Sequence, residues 1–223
     1  MTSVGNARRS SYFAYLVPVL SVFAALLIGA IMLLALDASP AEGVRAMFDG
    51  AFGSGEALIS TALKATPLLL VGVGITIAFR ANVINIGGEG QMIIGAIMAT
   101  LVGLIFTSWP GWLVILVAML MGFLGGAIWG GIPGYLKAHF GVNEILSTVM
   151  MNAIAVQLMN FLLRGPMIDP SQAELASKIP QTARLLEAFR LLRWAPTRLH
   201  LGFLIAVILA FVVYILLWRT TLG

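Results

Sequence analysis

Of the 223 residues 60% are hydrophobic and only 10% charged, and the mean hydropathy is +1.01, too apolar to cover the surface of a water-soluble domain. Thirteen basic residues against nine acidic ones give a formal charge of +4, but the bases are scattered between apolar blocks rather than clustered, which argues against nucleic-acid binding. With no cysteine in the chain, disulfides, thiol nucleophiles and thiolate metal sites are excluded.

A helix needs about 20 apolar residues to cross a bilayer, and six blocks of this kind follow one another. The first, residues 12–36, comes after Arg8 and Arg9 and is longer than the roughly 7–15-residue apolar core of a cleaved signal, so it reads as a retained span. Residues 37–56 read as a polar, glycine-containing connection. The second span covers residues 57–79, interrupted by Lys64, Pro67, Gly72 and Gly74. A polar patch at 80–91 separates it from the third span, 92–106. Trp109, Pro110, Gly111 and Trp112 then suit an interfacial hairpin. The fourth span runs over 113–136, with Pro133 marking its inner end or a kink, and the fifth over 142–163. Residues 165–199 form a long, mostly polar loop in which Leu185, Phe189 and Leu192 recur at helical spacing, as in a helix lying along the membrane surface. The sixth span is 201–218. The expected fold is an all-α polytopic bundle forming one transmembrane domain over 1–223. Barrel strands would alternate in polarity, and these blocks do not.

Orientation is divided by charge. With the N-terminus inside, the short inner segments carry Arg8, Arg9, Arg80, Lys137 and Arg219, while the 37–56 connection holds four acids and only Arg45, as the positive-inside rule asks. The long loop opposes it by placing Arg164, Lys178, Arg184, Arg190, Arg193 and Arg198 outside.

Three features could carry chemistry. Asn82, Asn85, Glu89 and Gln91 crowd with Gly87, Gly88 and Gly90 between two apolar spans. They form either a turn at the membrane surface, which glycines permit, or a helix broken within the membrane, whose freed backbone groups face a polar cavity. At membrane depth the Glu89 carboxylate needs a partner, and Arg80 is the nearest candidate. Second, Gly122, Gly126, Gly130 and Gly134 are spaced by four, so they lie near one face of the fourth span and suit close helix packing. Third, Asn143 and Glu144 open the fifth span, where they either cap its N-terminus or line a path. Ser147, Thr148, Asn152 and Gln157 follow and either bond a neighbouring helix or line that path. An enzyme reading finds no support: His139 and His200 are the two histidines, and HExxH, GxSxG and Walker A motifs are absent.

The run from Ala65-Thr-Pro to Asn85-Ile-Gly-Gly-Glu-Gly-Gln91 resembles the signature of the bacterial ABC importer permeases for branched-chain amino acids, simple sugars and nucleosides. Ile84 stands where Phe is usual. Residues 142–152 resemble the family's second motif, and Trp218-Arg-Thr-Thr-Leu-Gly223 is most similar to the nucleoside-type branch. The resemblance implies a permease subunit in the bacterial cytoplasmic membrane with its N-terminus cytoplasmic. It also implies a second related permease, an ABC ATPase partner that binds ATP and Mg, and an extracytoplasmic solute-binding protein. The solute would be a nucleoside, with a simple sugar next. Family members continue past Gly223, so the chain is expected to be an N-terminal fragment. An ion-coupled secondary transporter is the alternative. It predicts inverted repeats, and none is evident between the two halves.

Overall fold

The computed structural model describes the backbone of residues 4–173, 179–191 and 198–220, and side chains within these from residue 16 onward, Ala173 aside. Leu192 and Arg193 of the expected surface helix, Glu174 and Lys178 of the same loop, and residues 221–223 lie outside the described residues.

The described residues are helical nearly throughout: α1 (Val4–Ala35), α2 (Pro40–Phe52), α3 (Gly55–Arg80), α4 (Gly88–Ile105), α5 (Gly111–Phe140), α6 (Glu144–Arg164), the single turn α7 (Pro170–Ala173) and α8 (Leu201–Arg219). Six of them, namely α1, α3, α4, α5, α6 and α8, are long and apolar enough to cross a membrane. Large apolar side chains such as Phe23, Phe123, Ile128 and Phe211 are more than half exposed, as expected where the solvent for the outer face is lipid.

Packing divides the chain into two compact units, Met1–Thr61 and Ala62–Gly223, the boundary in the chain falling within α3. In the first unit α1 packs against α2. The polar connection at 37–56 contains this 13-residue helix, opened by Ser39, whose Oγ accepts a hydrogen bond from the Glu42 N–H at 3.4 Å, and by Pro40 at its first position.

The second unit centres on α4, α5 and α6, which pack on one another. The glycine row of α5 faces α4. A Cβ on Gly95 would stand 2.8 Å from the Gly122 carbonyl oxygen, one on Gly122 3.2 Å from that of Gly95, and one on Gly126 3.2 Å from that of Gln91. The two backbones therefore touch along this seam, as small residues in membrane helices allow. Gly134, the last of the row, has open space where a side chain would be. Pro133 neither ends nor closes α5, which continues to Phe140 and stops at Gly141, in the left-handed conformation (φ 65°).

The described part of the long loop is not the expected surface helix. Residues 181–186 are irregular, and a single 3₁₀ turn follows at Glu187–Phe189. Leu185 packs on the bare backbone of Gly103 in α4, and Ala188 lies against Gly111 at the start of α5. Leu185 and Ala188 take their contacts from two glycines distant in sequence, so local helical periodicity does not decide the form of this segment.

Candidate functional site

The polar patch resolves into a helix break. α3 ends at Arg80, the chain turns at Asn82, and α4 starts only at Gly88. Asn82 adopts φ 56°, a left-handed conformation that asparagine tolerates better than most residues. The Val83 N–H closes the turn onto the Ala78 carbonyl at 2.9 Å. Asn82 is exposed and serves this turn.

The break lies inside the bundle, not at its rim. Gln91, in the first turn of α4, packs on Gly130, ten residues before the end of α5 at Phe140, or about 15 Å along the axis. Asn152, which also reaches the break, is eight residues into α6, or about 12 Å. The start of α4 therefore packs against α5 and α6 about two to three turns in from their ends.

Polar groups freed by the break are bonded from several sides. Asn85 Oδ1 accepts from the Gly87 N–H at 2.8 Å and from Gln91 Nε2 at 3.4 Å. Asn152 Oδ1 accepts from the Gly90 N–H at 2.8 Å, and its Nδ2 donates to the Ile86 carbonyl at 3.0 Å. Glycine is needed at 90: a Cβ there would be 2.9 Å from Asn152 Oδ1 and 3.1 Å from Trp129 Nε1. Trp129 in turn donates to the Met151 carbonyl at 3.3 Å, tying α5 to α6 at this level. The hydroxyls of Ser147 and Thr148 are spent on the Glu144 carbonyl in their own helix.

Beside the break, α3 and α4 enclose a groove of about 300 Å³. Asn85 and Gln91 line it with Pro67, Val71, Ile75 and Met92. Every one of its walls is uncharged. Glu89 is exposed in the first turn of α4 and is not one of those walls. The partner expected for it is engaged elsewhere: the Arg80 guanidinium carbon sits 5.5 Å over the ring of Trp218 in α8, because the seven residues of the break separate the end of α3 from the start of α4.

The remaining candidates fall into two places. Asn143 caps α6, its Oδ1 accepting from the Ile145 and Leu146 N–H groups at 2.9 and 3.2 Å. Glu144 pairs with Lys137 at 2.5 Å across the α5–α6 turn, one side chain 34% and the other 19% exposed. Gln157 stands farther along α6, its Oε1 accepting from Asn160 at 3.5 Å, where it lines a separate concavity with Asn160 and Arg164. The structure therefore brings together Asn85, Gln91 and Asn152, sets the Glu144 carboxylate against the backbone N–H of Ile84 in the break, and leaves Asn82, Asn143 and Gln157 apart from them. Sequence reasoning missed Trp129 and Lys137; for Lys137 a signal existed, an acid seven residues on across a helix-ending glycine. Among the described residues no three His, Asp or Glu side chains converge as a metal site would require.

Residues 57–223 match the family described as the permease component of the branched-chain amino acid transport system. The chain is 33% identical over 208 residues to the guanosine ABC transporter permease protein NupP of Bacillus subtilis, covering 93% of this chain and 59% of that protein. It is 33% identical to the glucose ABC transporter permease protein TsgB13 of Haloferax volcanii (96% and 57%) and 29% identical to the nucleoside ABC transporter permease protein NupB of Lactococcus lactis (93% and 58%). The chain thus spans under three-fifths of the length of these relatives. No solved structure matches it. With six apolar helices and a family match from residue 57 onward, the chain belongs to this family of multi-pass ABC transporter permeases.

Proposed function

We propose that this chain forms part of the solute path of an ATP-driven importer, and that the solute is an uncharged nucleoside. The observation that carries this is the groove beside the helix break. Asn85 and Gln91 offer it carboxamides that both donate and accept, and the rest of its wall is apolar. An anionic nucleotide would meet no cation in that wall. A zwitterionic amino acid needs a cation and an anion within a few ångström of each other, and the wall offers neither; leaving such charges unpaired away from water is costly. The volume is at the lower end of the roughly 300–1,000 Å³ that hold small molecules. Pro67, Val71, Ile75 and Met92 suit the flat face of a base better than the hydroxyl-covered surface of a sugar. The names of NupP and NupB point the same way, and that of TsgB13 makes a hexose the second choice.

In this reading a second related permease completes the path, an extracytoplasmic protein delivers solute, and an ATPase holding ATP and Mg docks on the cytoplasmic side. That is the side of the break, of Lys137 and of Arg219, with the N-terminus also inside. Solute and nucleotide each favour one conformation, which drives alternating access. The test is uptake by proteoliposomes containing the permease with its partners. Guanosine should enter only with ATP and binding protein present, an excess of leucine or guanosine monophosphate should not compete, and collapsing ion gradients should leave uptake intact. Uptake driven by a proton or sodium gradient without ATP would favour the ion-coupled alternative and overturn the proposal.

A further inference from the structure

The two bonds of Asn152 have a geometry that a simple bridge between helices does not require. Its partners, the Gly90 N–H and the Ile86 carbonyl, are four residues apart and are the donor and acceptor of what would be the next α-helical hydrogen bond at the start of α4. That bond is not made. The Gly90 N–H instead meets Asn152 Oδ1 at 2.8 Å, and the Ile86 carbonyl meets Asn152 Nδ2 at 3.0 Å. A carboxamide carries the same donor and acceptor as a peptide group, so Asn152 is intercalated into the helical ladder. The next bond inward, Gln91 N–H to the Gly87 carbonyl at 3.1 Å, is intact. Gly87, at the N-cap of α4, has no side chain to cap the helix locally.

We propose that Asn152 is a removable wedge that positions the groove residues. With the wedge in, α4 begins at Gly88 and Asn85 faces Gln91 in the groove. With it withdrawn, as a shift of α6 relative to α4 would do, the Gly90 N–H bonds the Ile86 carbonyl directly. α4 gains one bond at its N-terminus and Asn85 is carried away from Gln91. Neither state leaves the two backbone groups unsatisfied, which is what a switching element needs. Asn152 thus acts on solute through Asn85, without lining the groove itself. The inference rests on the reading of that groove as a solute path, and the experiment separates the two.

The test uses Asn152→Leu and Asn152→Asp in the permease assembled with its partners. Leucine has a similar shape and no hydrogen-bonding group. If Asn152 were only structural, its loss would strand two backbone groups and melt the protein early. If it is a wedge, those groups satisfy each other, so N152L should unfold within about 4 °C of the parent while ATP-dependent nucleoside uptake falls about tenfold or more. The chain has no cysteine, so Ile84→Cys, at an exposed position within the break, reports movement there. N152L should change its labelling rate by about threefold or more, since thiol labelling follows access. A protonated aspartic acid can donate to Ile86 and accept from Gly90, and an ionised one can only accept. Uptake by N152D relative to the parent should therefore recover reversibly as pH is lowered. An N152L variant with parental uptake and labelling, one that melts far below the parent, or an N152D variant without pH rescue would each overturn the wedge. If the parent itself moves no nucleoside, the path reading falls, and the stability and labelling arms still decide the wedge.

Discussion

The backbone contact between α4 and α5 at Gly95 and Gly122 supports a quantitative prediction. A methyl group on Gly95 would lie 2.8 Å from the backbone oxygen of Gly122, so relief requires α4 and α5 to part by a few tenths of an ångström along the seam. Strain of this kind costs about 1–3 kcal/mol. Replacing glycine by alanine within a helix also returns about 1 kcal/mol of propensity, which would mask part of the loss. Gly131→Ala supplies the correction, since that position lies in the same bundle, inside α5, with nothing within 4 Å of the new methyl. Subtracting one variant from the other cancels the propensity term and leaves the strain. At about 2–4 °C per kcal/mol for a chain of this size, Gly95→Ala should melt about 2–12 °C below Gly131→Ala when loss of monodisperse protein in detergent is followed with temperature. Equal midpoints, or Gly95→Ala melting higher, would show that the two backbones are not in contact and refute the packing described for this seam.

Three further outcomes are expected. Lys137→Ala and Glu144→Ala should each lower the midpoint by stranding a partly covered charge, and the exchanged pair Lys137→Glu with Glu144→Lys should recover part of the loss; single variants as stable as the parent would deny the pair any role. Asn143→Ala should cost about 1 kcal/mol by removing the α6 cap, and Asn143→Asp, which can still accept from the first-turn N–H groups, much less; the two midpoints compared in one detergent check this. Leu185→Ser should release the 179–191 segment from Gly103, so that limited proteolysis cuts there sooner than in the parent while the spans stay intact; unchanged cutting would show that Leu185 does not hold the segment.

The spans were legible because lipid demands long apolar helices, and that demand is written residue by residue into the chain. α2 was also legible in principle. Ser39, Pro40 and Glu42 form a helix start, and Val44, Met47, Phe48 and Ala51 recur at helical spacing, but six acidic or glycine residues from 42 to 55 made the segment read as a polar connection. The break was visible as a polar, glycine-rich patch, whereas its packing against α5 and α6 was not. That packing rests on Gly130, which meets Gln91, and on Asn152, which meets Gly90 and Ile86, and these lie 39 and 61 residues beyond Gln91 in sequence. For the same reason Asn152 read as one polar residue among several, and the start of α4 read as residue 92 when helix begins at Gly88. Its first turn is held by a side chain from another helix, and local sequence has no access to that bond.

The central claim is that an uncharged solute passes the groove between α3 and α4, and the most direct measurement is ATP-dependent guanosine uptake by Gln91→Leu at matched membrane levels. Gln91 supplies one of the two carboxamides in an otherwise apolar wall, and losing a hydrogen-bonding group in a desolvated site costs enough to slow transport about tenfold. The account predicts that loss with the assembled complex and its ATPase activity retained. Guanosine uptake at the parental rate in Gln91→Leu would contradict it.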